Sequence, residues 1–254
     1  MDALAKPWTA LGPADAPGIV FVHSTRLTRA MWWPQLRRLS GSFRCVAVDL
    51  PGHGVLADEP FSIAGAVDVV RLAIEAEIPA GRAVIVGLSL GGYIAIDTAE
   101  AHPDLVEGLV LAGCSGEAFG AMATPFRLFR ALLAKGPRPL QRIISLAFVR
   151  SRYRRHVSEP IIEGGFWPDG GADALTVLIG RHYLDRLSRL WTPVLVVNGA
   201  LDLVFGPQGD YWAASCRRGE QAVIPLAMHL SNLDRPSTFA RLVAAFTGRT
   251  ARGA

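Results

Sequence analysis

The chain is poor in cysteine and has no long apolar run. Its three cysteines, Cys45, Cys114 and Cys216, are odd in number, widely spaced and outside any Cys-x-x-Cys or Cys/His metal pattern. That excludes a disulfide framework and leaves them as small core or surface residues. No group of His, Cys and carboxylate residues has metal-ligand spacing, so neither a metal nor another cofactor is expected. No stretch of 18 or more uncharged apolar residues occurs, which excludes a transmembrane helix of ordinary kind. Met1 to Pro13 lacks the basic start and apolar run of a secretory signal. A soluble, cytoplasmic protein without a membrane partner is the expectation. Internal repeats and low-complexity segments are also missing.

What is present is enough apolar material for one sizeable core: 254 residues, half of them hydrophobic, a size that α/β proteins fill as a single domain. The formal charge of +4 is unevenly placed. Glu117 to Leu190 holds 12 Lys and Arg against 6 Asp and Glu, a balance of +6 that leaves the rest of the chain at −2. This basic segment has no zinc-finger, RNA-binding or helix-turn-helix signature, so nucleic acid is not expected as a partner. Val149 to His156 reads as a solvated helix face, with attraction of an anionic substrate or an acidic carrier protein as the alternative.

Short Val- and Ile-rich runs recur between helical patterns: Gly18 to His23, Arg44 to Asp49, Ala83 to Gly87, Leu109 to Ala112, Val194 to Asn198 and Gln221 to Ile224. Continuous apolar strands alternating with helices mean an α/β fold, a mostly parallel sheet covered by helices on both faces. One further strand, at about Trp8 to Leu11, fits before the first. Helices are expected at Ile63 to Glu77 and Gly91 to His102, each stopped by a proline, and from Pro236 to about Phe246. Thr247 to Ala254 reads as a frayed tail. From Glu117 to about Leu190 the strand rhythm is lost and helical segments follow (Pro125 to Ala134, Leu140 to Arg150, Ala174 to Leu187). A single domain over residues 1–254, with a helical cap inserted at 117–190, is expected.

The sharpest signal is Gly87-Leu88-Ser89-Leu90-Gly91-Gly92, a GxSxG pattern that follows a strand and opens a helix. A tight strand-to-helix turn leaves no room for side chains two residues either side of the serine. The turn lifts the hydroxyl clear of the sheet at the positive end of a helix. Partners follow in the order this architecture uses. Asp202 lies just past the strand ending at Asn198, where sites of open α/β sheets form, and His229 comes 27 residues later. His229 would take the Ser89 proton, and Asp202 would fix the imidazole tautomer. Asp210 and Asp234 compete for the carboxylate role, but Asp234, beside Arg235 and Pro236, reads more like a helix N-cap. For the oxyanion, Leu90 offers the backbone N–H after the nucleophile. A second donor is expected in Ser24-Thr25, with Thr25 the better placed. His23 and His53 read as structural residues bonded to backbone; His102 ends a helix, and His156 and His182 fall in the cap.

These blocks, together with Val22-His23-Ser24-Thr25, Asp49-Leu50-Pro51-Gly52-His53-Gly54 and Asp234-Arg235-Pro236, resemble the α/β-hydrolase superfamily over nearly the whole chain. The resemblance implies the α/β-hydrolase fold and a cofactor-free serine hydrolase. Three departures stand out. Ser24 replaces the usual glycine, so either a tighter oxyanion loop or a hydrogen bond donated by Ser24 itself is expected; Val55-Leu56-Ala57 replaces a basic residue and serine; and the N-terminus looks one strand short. The serine nucleophile argues against epoxide-hydrolase or haloalkane-dehalogenase chemistry.

Three functions follow in order. The first is hydrolysis of a carboxylic ester or lactone, a small acyl substrate with its apolar part near Phe166-Trp167. The second is a thioesterase or carbon–carbon bond hydrolase whose basic cap docks an acidic carrier or an anionic substrate. The third is a ligand-binding protein of the same fold without turnover.

Overall fold

The computed structural model describes residues 6–251. Seven strands form one sheet: β1 (Trp8–Leu11), β2 (Gly18–Val22), β3 (Arg44–Val48), β4 (Ala83–Leu88), β5 (Val106–Ala112), β6 (Val194–Gly199) and β7 (Gly219–Ile224). Their order is β1-β3-β2-β4-β5-β6-β7, with only β1 antiparallel to its neighbour. Every residue of β2, β4 and β6 is buried, because parallel strands are covered on both faces and so read as unbroken apolar runs. Alternation sorts their side chains into two cores. Val20, Val22 and Ile85 join one around Tyr93, Tyr183 and Trp212. Ile19, Phe21, Val84 and Val86 join the other around Trp32 and Phe239. Each fully buried aromatic ring contributes on the order of 2–3 kcal/mol.

Helix α1 (Trp33–Leu39) follows β2, α2 (Ile63–Glu77) follows β3, and α3 (Leu90–Ala101) follows β4. Ser62 caps α2 by accepting the Gly65 N–H at 3.0 Å. After β6 come α9 (Gly209–Ser215) and, beyond β7, the short α10 (Ser231–Asp234) and α11 (Pro236–Thr250). The tail expected to fray is helical to Thr250, and Thr247 is fully buried, because Phe246 and Thr247 continue the apolar stripe of α11. Residues 252–254 lie outside the described residues. Among the described residues no helix is long and apolar enough to cross a membrane.

Between β5 and β6 the chain runs through five helices: α4 (Thr124–Lys135), α5 (Arg138–Arg152), α6 (Arg155–Gly164), α7 (Pro168–Leu178) and α8 (Tyr183–Arg189). The continuous helix expected over Ala174 to Leu187 is broken at Gly180, which takes a φ of 98° that other residues rarely adopt. The solvated face expected over Val149 to His156 is exposed at Arg150, Ser151, Arg152, Arg154, Arg155 and His156, but it is not one helix face. The helix stops at Arg152, the next residue is extended, and Val149 and Tyr153 are buried. Polar ties anchor the segment: Tyr183 donates to the buried Asp97 of α3 at 2.8 Å, and Arg152 forms a two-pronged pair with Asp234.

Candidate active site

Ser89 stands between β4 and α3 with φ 55° and ψ −115°, a left-handed backbone that a non-glycine residue holds only under strain. The glycines around it are sterically required. A Cβ on Gly87 would overlap the Gly91 carbonyl, one on Gly91 would overlap the Val22 carbonyl, and one on Gly92 would overlap the Cys114 thiol. The Ser89 N–H is held by the Ala112 carbonyl at 2.8 Å, which fixes the turn against β5.

Asp202 lies in the turn after β6, almost fully buried. One carboxylate oxygen accepts from the backbone N–H groups of Val204 and Phe205, both at 3.2 Å. The other faces His229 Nδ1 at 2.9 Å. Burial raises the Asp202 pKa, but the hydrogen bond and charge of His229, with the two backbone donors, outweigh it and hold the carboxyl below its ordinary value. A Nδ1 that donates to a carboxylate leaves Nε2 as the basic nitrogen of the neutral ring. The His229 ring stacks on Phe205, with centroids 5.1 Å apart and planes 26° apart. Gly113 leaves space for it, since a Cβ there would stand 3.0 Å from His229 Nδ1.

Ser89, Asp202 and His229 line one pocket of about 250 Å³ with Thr25, Pro125, Phe126, Phe129, Leu175, Val204 and Phe205. Ser89 and His229 share this pocket without a direct hydrogen bond in the structure; such contacts tighten when substrate arrives. The competing carboxylates sit elsewhere. Asp210 is beside Gln221. Asp234 closes α10 and does not cap α11. It accepts the Met228 N–H at 2.6 Å, the Tyr153 hydroxyl at 3.1 Å and the Arg152 guanidinium, bracing the loop that carries His229.

Leu90 opens α3, so its N–H has no acceptor within the helix, while the residue itself is buried and not among those lining the pocket. Ser24 is outside the pocket lining: its N–H meets the Met31 thioether at 3.3 Å, and its carbonyl accepts from His23 and from Leu27. Thr25 does line the pocket. His23 and His53 are fully buried and bonded to backbone: Leu50 N–H donates to His23 Nε2 at 3.0 Å, and His53 Nδ1 donates to the Pro51 carbonyl at 2.9 Å. Burial lowers the pKa of His23 to about 4 and that of His53 to about 3. Phe166 and Trp167, expected at the substrate's apolar part, line a different cleft. The apolar wall of the Ser89 pocket comes instead from α4, α7 and the turn after Asp202. Those aromatics were not singled out from sequence, because nothing in the order of residues brings 125–129, 175 and 204–205 together. Among the described residues no three His, Cys, Asp or Glu side chains are grouped so as to hold a metal ion.

The profile of the alpha/beta hydrolase family matches residues 19–242. A pimeloyl-[acyl-carrier protein] methyl ester esterase of Neisseria meningitidis serogroup C is 29% identical, over 91% of this chain and 93% of that protein. The 3-oxoadipate enol-lactonase 2 of Acinetobacter baylyi is 23% identical, over 97% of this chain and 94% of that one. A hydrolase of Pseudomonas aeruginosa has the same fold with a TM-score of 0.79 at 27% identity, over 95% of this chain and 93% of that chain. This chain belongs to the alpha/beta hydrolase family.

Proposed function

We propose that the protein hydrolyses carboxylic esters or lactones through an acyl-enzyme on Ser89. The observation that carries this reading is the Asp202–His229 pair opening on the same apolar pocket as Ser89. His229 Nε2 takes the Ser89 proton as Oγ attacks the carbonyl carbon. The Leu90 and Thr25 N–H groups receive the oxyanion, and the imidazolium returns the proton to the leaving alkoxide. Water, activated by the same nitrogen, then releases the acid and restores the serine. The two curated relatives named above, an esterase and an enol-lactonase, support this class. The test is turnover of p-nitrophenyl esters of graded chain length, lactones and acyl thioesters by the wild type and Ser89→Ala. Ester or lactone turnover that the variant lacks supports the reading. Thioester turnover alone would move it to the thioesterase alternative, and turnover unchanged in the variant would overturn it.

A second reading concerns how the acyl group arrives. Residues 118–158 hold nine Lys and Arg and no Asp or Glu. Helices α4 and α5 expose Leu128, Leu132, Leu140, Ile143, Ile144 and Phe148 among those cations. A positive, apolar face of this kind suits an acidic carrier protein, and α4 also walls the pocket. A KM for a carrier-linked ester that rises steeply with salt, while that of a small ester does not, supports carrier delivery; equal salt responses would contradict it.

A further inference from the structure

A second cleft, of about 650 Å³, lies beside the one that holds Ser89. The two adjoin at the loop after β2, where Thr25 lines the Ser89 pocket and Arg26 lines the cleft, and α7 borders both. Arg26 is unusual in three respects. Its φ is 58°, a left-handed conformation that a long side chain occupies at a cost of about 1 kcal/mol or more. It is half-buried, with burial lowering its pKa. Among the described residues no carboxylate lies within ion-pair distance of it, although the half-buried Arg29, Arg44 and Arg186 each face one at 2.6–3.0 Å.

Its protein contacts leave most of the guanidinium unused. One nitrogen, Nη1, donates to Ser145 Oγ at 2.8 Å, and the group lies over the Phe166 ring at 5.9 Å. Those contacts and the Trp167 N–H, which donates to the Arg26 carbonyl at 2.9 Å, fix where the cation sits. Five N–H donors with one recorded acceptor leave a fork suited to a planar or tetrahedral oxyanion. The other charges of the cleft do not fill that role. Asp169 is paired with Arg138, and Asp58 and Glu163 are exposed, where water and salt weaken their field. Arg142 adds a further cation to the lining.

We propose that this cleft binds an organic oxyanion, a carboxylate or phosphate monoester, with Arg26 receiving the charge and Phe166 and Trp167 flanking the apolar body. A half-buried cation without a carboxylate, on a strained backbone, is expensive to keep, and an anionic ligand supplies the missing partner. The site is independent of turnover, so it is tested on Ser89→Ala protein, which serves whether or not the hydrolase reading holds. Calorimetry and the intrinsic tryptophan fluorescence follow titration with inorganic phosphate, phenyl phosphate, benzoate and uncharged benzyl alcohol. The expected result is binding of phenyl phosphate or benzoate, none of benzyl alcohol, and affinity about tenfold or more weaker when Arg26→Gly is added. Preference for phenyl phosphate or for benzoate identifies the source of the anion. Glycine suits the φ of 58° and is expected to keep the fold, with the melting temperature as check; Arg26→Met asks the same question if it does not. No anion binding to the Ser89→Ala protein, or equal binding after the Arg26 substitutions, would overturn the proposal.

Discussion

Backbone strain marks the loops of the candidate site residue by residue. Among the described residues the non-glycine positions with positive φ are Arg26, Ser89 and Leu226. They follow β2, occupy the turn after β4 and precede His229 beyond β7. Backbone held in such conformations is maintained by its surroundings and clusters where side chains must be aimed. Gly87→Ala is therefore expected to lower stability by roughly 2–4 kcal/mol, read from urea unfolding, because its methyl group meets the Gly91 carbonyl across the turn. Asp202→Asn should leave the melting temperature nearly unchanged and cut kcat by about 10⁴-fold, since the amide favours the wrong imidazole tautomer; a loss under tenfold would show that Asp202 does not orient His229. Ser89 was legible in the sequence because its glycine pattern is a steric necessity. Ser24 was not, because its role depends on Met31, seven residues on, turning its sulfur to the Ser24 N–H.

At the scale of elements, the loops after β2, β4, β6 and β7 carry the residues of the proposed mechanism, and the helices between β5 and β6 shape the pocket. The strands were readable because burial on both faces leaves unbroken Val and Ile runs. The helices of the segment were read less well. Val149 to His156 is solvated at six positions, as read, yet Tyr153 is buried, and only the folded chain shows that Tyr153 and Arg152 reach Asp234 over 81 and 82 residues. Asp234→Ala is expected to lower stability by about 1–3 kcal/mol, by leaving Arg152 and the Met228 N–H without their partner, and to reduce kcat by roughly tenfold through the loosened His229 loop. Urea unfolding and steady-state kinetics on the same preparation check both. Phe129→Ala opens the α4 wall of a pocket of about 250 Å³, so the preferred acyl chain should lengthen in a p-nitrophenyl ester series. An unchanged preference would place the acyl group elsewhere.

For the whole molecule, the parallel sheet gathers residues 25, 89, 202 and 229 at one edge, and the same packing sets its response to acid. His23 and His53 are kept neutral by burial, with pKa values of about 4 and about 3. In the unfolded chain each takes up a proton near pH 6.5, whereas the folded protein does not. Stability is therefore at its full value above about pH 6.5 and falls as the pH drops toward 4, by about 2 kcal/mol per histidine at pH 5. Urea unfolding at pH 7 and pH 5 checks this, and His23→Gln should remove part of the difference. The most direct measurement of the catalytic reading is mass spectrometry of the protein quenched in acid during turnover of a p-nitrophenyl ester. An acyl group on the peptide that carries Ser89, absent from Ser89→Ala, is the expected result. Undiminished turnover in Ser89→Ala, or an adduct on another residue, would contradict the acyl-enzyme on Ser89.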